Sequence, residues 1–367
     1  MNNLLLRIIK IPKREDITVY FRKMKNSRFS IPKLLHPRLI VYILLLFNLV
    51  NIAGQDSTSY DQNESDRNII QWIGQYPDVK NDKNDGFKSK LGDIVFGKKA
   101  NLIIKPITVI ASDPEHFWIL DQGNGMLVEK EFNKGKIPNQ FSRRDEPFSS
   151  LVGLCFLSND ELLFTDSREN QIFKFTQGNK NLEILNDTLK LQQPTGIAYS
   201  TLTGEICVLE TGAHRVSVLS EQGELIRRFG KRGNTPGNFN FPTHIWIDSS
   251  GKIYIVDAMN FRIQIFNSKG EFLLEFGEAG DATGYLARPK GIATDSMGNI
   301  YIADALFHTV QIFDKEGKFL YYFGSQGAEK GQFWMPSGIF IDSNNYIYVA
   351  DSYNARVQVF KLVIKNL

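Results

Sequence analysis

Residues 347–360 read IYVADSYNARVQVF, a stretch that the chain repeats several times. The apolar alternation of one strand ends at Asp351, a short turn follows, and the alternation resumes at Val357. That pattern is typical of a β-hairpin. Further copies are IYIADALFHTVQIF (300–313), IYIVDAMNFRIQIF (253–266) and ICVLETGAHRVSVL (206–219).

The acidic residue that ends the first strand of each hairpin recurs every 44 to 47 residues. Two weaker copies raise the number of hairpins to six, with the acidic residue at Asp121, Asp166, Glu210, Asp257, Asp304 and Asp351. A period of this length with four short strands is typical of a propeller blade. The sequence therefore predicts an all-β fold, a six-bladed β-propeller of four-stranded antiparallel blades.

The last unit stops after its third strand, which would leave an unpaired sheet edge. The segment NIIQWIG, residues 68–74, resembles the end of a fourth strand. We predict that this N-terminal strand completes the last blade, in a propeller domain of residues 68–367. The longer interval before Pro106 predicts an insertion around residues 75–104.

A basic stretch precedes the apolar run LIVYILLLFNLVNIA at residues 39–53. Its length of about 15 residues is short for a spanning helix and suits a signal peptide. We expect residues 1–54 to be an export signal or an N-terminal membrane anchor, residues 55–67 to be a polar linker, and the protein to reach the periplasm or cell envelope. Met24 is an alternative start.

The charge is unevenly distributed along the chain. Residues 1–54 hold ten of the 43 Lys and Arg but two of the 40 Asp and Glu, so the remainder carries a net charge of −5. A body of that sign repels phosphate backbones, and we therefore expect no nucleic-acid partner.

Cysteine and histidine are sparse. Cys155 and Cys207 lie in apolar runs, which predicts two buried thiols, with a disulfide as the alternative. His214 and His308 share one hairpin position, which favours a structural role. Because the histidines are dispersed, we predict no metal and no cofactor.

The motifs P-x-G-I-x-x-D, I-Y-V-A-D and N-x-R-V-Q-V-F with a trailing F-G resemble NHL repeats, which build six-bladed propellers. The strong copies are Pro194–Gly230, Pro242–Gly277, Pro289–Gly324 and Pro336–Phe360. The whole layout is similar to that of exported bacterial NHL-repeat proteins. The resemblance implies the fold and leaves the activity open.

One copy departs from the motif, because His244 stands where Gly196, Gly291 and Gly338 stand in other blades. We predict that His244 faces the mouth of the central channel, either as a functional group or hydrogen-bonded to a loop. The residues after each opening proline could form a polar ligand site there or could only cap turns; they are Thr195, Thr243, Lys290 and Ser337.

An acidic residue and an Arg five positions later recur as Glu210 with Arg215, Asp257 with Arg262, and Asp351 with Arg356. We interpret them as cross-strand ion pairs rather than as a ring of phosphate-binding arginines. The hairpin loops vary between blades, and Phe261, Phe307 and Tyr353 in them are candidate contacts with a partner.

These features favour a monomeric binding or scaffold module whose loop face recognises a protein, peptide or glycan. The alternative is a lyase or hydrolase acting in the channel, of the type found in amidating-lyase or gluconolactonase-like propellers. The sequence contains no phosphate-binding glycine loop, nucleophile elbow or paired zinc motif that would indicate catalysis.

Overall fold

Six sheets of four antiparallel strands account for the strands in the described part of the chain. The structure is a computed structural model that describes residues 69–77, 103–131, 139–142, 146–178 and 181–364, all within the compact unit Asp66–Leu367. The predicted leader 1–54, the linker 55–67 and most of the insertion 75–104 lie outside these residues.

The strands are numbered along the chain from β1 (Ile69–Tyr76). Blade 1 contains β2 (Pro106–Asp113), β3 (His116–Asp121), β4 (Met126–Glu131) and β5 (Asn139–Phe141). Blade 2 contains β6 (Leu151–Phe156), β7 (Glu161–Asp166), β8 (Gln171–Thr176) and β9 (Asn181–Ile184). Blade 3 contains β10 (Pro194–Ser200), β11 (Glu205–Glu210), β12 (Arg215–Leu219) and β13 (Leu225–Phe229).

Blade 4 contains β14 (Pro242–Ile247), β15 (Ile253–Asp257), β16 (Arg262–Phe266) and β17 (Phe272–Phe276). Blade 5 contains β18 (Pro289–Thr294), β19 (Ile300–Asp304), β20 (Thr309–Phe313) and β21 (Phe319–Phe323). Blade 6 combines β22 (Pro336–Ile341), β23 (Tyr346–Asp351) and β24 (Arg356–Val363) with β1. Short 3-10 turns join the second and third strands of blades 3, 4 and 6, at Thr211–Ala213, Ala258–Asn260 and Ser352–Asn354.

The first strands of the six blades contact one another in a closed ring, in the order β2, β6, β10, β14, β18, β22 and back to β2. Strand β1 pairs with β24 from Ile69 opposite Val363 to Tyr76 opposite Val357. The six-bladed fold and its closure by the N-terminal strand are therefore confirmed. In the described residues, no helix has the length and hydropathy that a membrane crossing requires.

The hydrophobic core lies between blades rather than inside any one of them. Between blades 4 and 5, Tyr254 and Val256 of one sheet pack with Ile302 and Phe313 of the next, and all four are buried. A single sheet has no such cover, so each blade depends on both neighbours for burial of its apolar faces.

A buried carboxylate ends the second strand of every blade. All six are fully buried, and they are Asp121, Asp166, Glu210, Asp257, Asp304 and Asp351. Each accepts a hydrogen bond from a backbone N–H in the loop that leads into its own blade, as Asp257 does from Asn240 at 2.6 Å and Asp351 does from Trp334 at 2.7 Å. The carboxylate therefore fixes the connection between blades.

The expected ion pairs are present in blades 3, 4 and 6. Arg262 Nε lies 2.9 Å from Asp257 Oδ2, and Arg356 Nε lies 2.7 Å from Asp351 Oδ2. Arg262 also donates to the backbone carbonyls of Asn234, Thr235 and Asn238 in the incoming loop. Arg356 makes the same kind of contact with three loop carbonyls, so in blades 4 and 6 both partners of the ion pair hold the incoming loop.

Glycine on the first strand is required by the neighbouring blade. A Cβ atom on Gly291 would lie 2.4 Å from the carbonyl oxygen of Ser337, and one on Gly338 would lie 2.5 Å from that of Ile107. Adjacent first strands approach so closely that a side chain there meets backbone. Blades 1 and 4 depart from the rule with Thr108 and His244.

We expect Asp257→Asn to lower the free energy of unfolding by about 3–5 kcal/mol, because it removes the fully buried one of the two carboxylates that pair with Arg262 and leaves only the partly exposed Glu275. Urea denaturation measures this loss. The control is Lys315→Ala, which removes an exposed ion pair with Glu316 at 3.8 Å and should cost less than about 1 kcal/mol. Equal effects of the two changes would contradict the structural role of the buried pair.

We expect Trp72→Ala in β1 to cost about 2 kcal/mol or more, since it opens the closing sheet. The indole Nε1 donates to Gln358 Oε1 at 3.0 Å, and Lys330 Nζ lies 4.6 Å from the indole centroid. Ile73→Ala, at the adjacent exposed position, should cost less than about 1 kcal/mol. If Trp72→Ala lowered the thermal stability no more than Ile73→Ala does, the Trp72 contacts of β1 would contribute little to closure.

Candidate site at the channel mouth

Two cavities follow the axis of the propeller and share His244. The mouth cavity has a volume of about 280 Å³ and is lined by Lys105, Thr195, Thr243, Lys290, Ser337 and neighbouring loop residues. The deep cavity has a volume of about 210 Å³ and is lined by later residues of the same first strands. The structure thus brings all five predicted channel residues together around the mouth cavity.

The mouth cavity carries uncompensated positive charge. Three cationic side chains line it, Lys105, Arg288 and Lys290, and none of its described lining residues is Asp or Glu. No salt bridge within the described residues includes any of the three. Burial, together with the charges of Arg288 and Lys105, lowers the pKa of Lys290. An anion entering the cavity would relieve this repulsion.

The hydroxyl groups around the mouth mostly join one blade to the next. Thr195 Oγ1 is 2.6 Å from Thr211 Oγ1, which donates to the carbonyl of Pro242 in blade 4. In the same way Ser337 is 3.0 Å from Ser352, and Ser352 donates to the carbonyl of Pro106. Thr195 and Ser337 are therefore occupied by contacts between blades, a role that the sequence interpretation did not include.

The hydroxyl pair is present in blades 3 and 6 and missing from the other four blades, so the ring of hydroxyl groups is broken, among other places, at blades 4 and 5. Ala258 and Ala305 stand where Thr211 and Ser352 stand in blades 3 and 6, and alanine supplies no hydroxyl. As a result, the Thr243 hydroxyl is buried without a hydrogen-bond partner. Lys290 occupies the corresponding position of blade 5. The polar groups left free at the mouth are thus concentrated on one side of the ring.

His244 lies on this same side. Both imidazole nitrogens are buried and lack a hydrogen-bond partner among the described residues, although other atoms of the residue remain accessible. The expected alternative, a bond from His244 to a neighbouring loop, is therefore absent from the described residues. Burial first and the charge of Lys290 second lower the pKa of His244 to about 4, so its ring is neutral at pH 7.

The three predicted contact aromatics occupy different environments. Tyr353 is 57% exposed at the rim of the mouth, with its ring centroid 6.0 Å from that of Trp334. Phe261 and Phe307 are half-buried, and Phe307 borders a separate surface pocket that also includes Tyr322. Only Tyr353 of the three lines the mouth cavity.

Sequence reasoning missed the residues that match Tyr353 in the repeat. Met259 and Leu306 hold the same loop position in blades 4 and 5, and they are 55% and 53% exposed. The aromatic residues chosen from the sequence, Tyr353, Phe307 and Phe261, lie two, three and four residues after the buried carboxylate of their blades, so they do not occupy equivalent positions. Comparing the residues that lie two positions after each buried carboxylate would have identified the exposed apolar set. We call this set the apolar rim: Met259, Leu306 and Tyr353.

His214 and His308 connect blades, as their shared position indicated. The backbone N–H of Phe241 donates to His214 Nδ1 at 3.0 Å, and that of Met335 donates to His308 Nδ1 at 3.1 Å. In blade 2, Asn170 Oδ1 accepts the equivalent bond from Gln193 at 2.7 Å. All three acceptors have a positive φ, between 54° and 59°.

The two cysteines do not form a disulfide. Cys155 and Cys207 are free thiols, and burial raises the pKa of both. No cluster of three or more metal-ligating side chains occurs in the described part of the chain. His244 is thus not part of such a cluster in the described residues.

Comparisons with known proteins bear on the fold. A family model described as a 6-bladed beta-propeller matches residues 182–278, and an NHL-repeat model matches residues 333–360. No curated protein matches the chain. The sequence resemblance to NHL repeats is thus confirmed in the last blade.

Solved structures resemble the chain at low identity. An auxiliary nutrient binding protein from Bacteroides thetaiotaomicron is 15% identical over 71% of this chain and 70% of its own, with a TM-score of 0.58. Virginiamycin B lyase from Staphylococcus aureus is 16% identical over 71% of this chain and 95% of its own, with a TM-score of 0.53. At these identities the likeness supports the fold alone.

We expect stability to fall as the pH drops from about 8 to about 5.5, because burial lowers the pKa of His214 and of His308. The unfolded chain then binds more protons below about pH 6.5, and stability is lost in that direction. The double variant His214→Asn with His308→Asn keeps an acceptor and should lose less over this range. If urea denaturation gave the double variant the same pH dependence of stability as the wild type, His214 and His308 would not be the groups responsible.

Proposed function

We propose that this chain, a six-bladed β-propeller containing an NHL repeat, is an exported binding module whose loop face holds a ligand with an anionic group. The protein, peptide or glycan class of partner expected from the sequence can carry such a group. The observation that supports the proposal is the mouth cavity, where Lys105, Arg288 and Lys290 face no described carboxylate. The apolar run at residues 39–53 is the sequence feature that supports export.

The electrostatic argument favours an anion over a neutral ligand. The body of the chain carries a net charge of −5, yet the mouth gathers three cations. Burial first, and then the charges of Arg288 and Lys105, lower the pKa of Lys290, because both disfavour its charged form. A bound anion reverses this cost, so the affinity should weaken as rising pH removes the proton from Lys290.

The apolar rim supports a ligand that extends beyond the mouth. Met259, Leu306 and Tyr353 are each more than half exposed, and Trp334 beside Tyr353 is 49% exposed. Exposed large apolar side chains that cluster around a polar cavity are typical of a recognition surface. The cations would then orient the ligand, while the rim contributes contact area.

A second candidate function is a lyase or hydrolase reaction in the channel. His244 supports it, because a neutral imidazole with two unpartnered nitrogens beside Lys290 can accept a proton from a bound substrate. Virginiamycin B is the first substrate to test, given the structural neighbour. A product of virginiamycin B that no longer forms with His244→Gly would favour an enzyme, and an intact substrate at stoichiometric protein would count against it.

We expect Lys290→Met to weaken binding to carboxylated or sulfated members of a peptide and glycan array about tenfold, which corresponds to about 1.4 kcal/mol. Lys318→Met, an exposed lysine in the hairpin between β20 and β21, is the matched control and should bind as the wild type does. Leu306→Ser tests the apolar rim in the same assay. If Lys290→Met retained every acidic ligand at full affinity, the mouth would not be the binding site.

A further inference from the structure

The two cavities on the axis have opposite chemistry. The first strands run from the mouth towards the opposite face, so Thr243 borders the mouth and Trp246 borders the deep cavity. At the fourth residue of its first strand, each blade contributes a buried aliphatic side chain to the deep cavity: Val109, Leu154, Ile197, Ile245, Ile292 and Ile339. A cationic cavity and an apolar cavity therefore adjoin at His244, which lines both.

The deep cavity also presents aromatic rings. Phe156, Tyr199, Trp246 and Phe340 line it and remain partly accessible. The Trp246 and Phe340 rings meet edge to face with centroids 5.6 Å apart. Their polar atoms are already bonded, since Trp246 Nε1 donates to Thr294 Oγ1 at 2.9 Å and the Tyr199 hydroxyl donates to Glu221. What these side chains offer a ligand is apolar surface.

The deep cavity is large enough for an aromatic ring. An apolar cavity of about 150 Å³ in another protein binds benzene, and the deep cavity here measures about 210 Å³. A ring placed there could stack against Trp246 or Phe340, and such aromatic pairs stabilise a complex beyond the burial of apolar area. The deep cavity thus favours an aromatic group over a polar one.

The free polar groups lie where such a ligand would carry its charge. Lys290 supplies a cation, Thr243 supplies an unpartnered hydroxyl, and the neutral His244 imidazole supplies an N–H donor. A carboxylate accepts several hydrogen bonds of this kind at once. One anionic group at the mouth would satisfy donors that have no partner in the described residues.

We infer that the channel mouth captures the C-terminal carboxylate of a polypeptide that ends in an aromatic residue. The carboxylate lies between Lys290, Thr243 and His244, the aromatic ring enters the deep cavity, and the preceding residues leave over the apolar rim. This inference rests on the proposed function, because it uses the same cations. The rim favours a polypeptide over a free aromatic acid, since a small acid would leave Met259, Leu306 and Tyr353 uncovered.

Isothermal titration calorimetry with four probes tests the inference on the purified full chain. The probes are N-acetyl-Ala-Ala-Phe, its C-terminal amide, N-acetyl-Ala-Ala-Gly, and N-acetyl-Phe. We expect the first probe to bind at least about tenfold more tightly than each of the others, because each lacks the charge, the ring or the preceding residues.

Two variants locate the bound peptide. His244→Gly installs the residue found in blades 3, 5 and 6, so the ring should fold, and it should weaken binding of the acid more than binding of the amide. Phe340→Leu should remove most of the preference for Phe over Gly. Thermal unfolding of each variant verifies the fold, and Lys318→Met should leave all four affinities unchanged.

The outcomes separate the inference from the proposed function. If the Phe and Gly acids bound equally and both bound better than the amide, the anion site would stand and the aromatic inference would fall. If N-acetyl-Phe bound as tightly as the longer peptide, the ligand would be a small acid, which also overturns the inference. If neither acid bound better than the amide, both proposals would fail.

Discussion

The buried carboxylate at the end of each second strand is the contact on which the rest of the propeller depends. It accepts hydrogen bonds from the incoming loop, as Asp304 does from Ala287 at 2.8 Å and Arg288 at 2.9 Å. By fixing the loop, it fixes where the next first strand begins, and hence how closely two first strands approach. Asp304 has Thr309 opposite it in place of an arginine, and it still accepts these backbone hydrogen bonds, so the loop contact does not require the ion pair.

The repeat made the fold predictable, because six copies in one register define both the blade and the number of blades. Even the closing strand could be found, since a missing fourth strand in the last unit required a partner elsewhere. The candidate site was predictable only in part. His244 and Lys290 differ from the residues at the same position of other repeats, and such differences can be recognised from the sequence alone.

The rest of the site depends on contacts between blades, which no single repeat contains. Thr195 resembles Thr243 in sequence, yet Thr211 partners the first hydroxyl and Ala258 cannot partner the second. The cationic character of the mouth arises from Lys105, Arg288 and Lys290, which come from two distant parts of the chain. Only ring closure brings blade 1 close to blade 5, with blade 6 between them, so composition along the sequence could not reveal this charge.

The break in the hydroxyl ring has an energetic consequence that connects stability to function. A buried donor or acceptor without a partner costs about 1–3 kcal/mol, and blades 3 and 6 show which residues would remove that cost. Blades 4 and 5 instead place Ala258 and Ala305 beside Thr243, His244 and Lys290. The unfavourable energy is thus stored at one side of the mouth, where a ligand that supplies the missing partners recovers it on binding. If every polar group of the ring already had a hydrogen-bond partner, a ligand would gain nothing there beyond the attraction of charge.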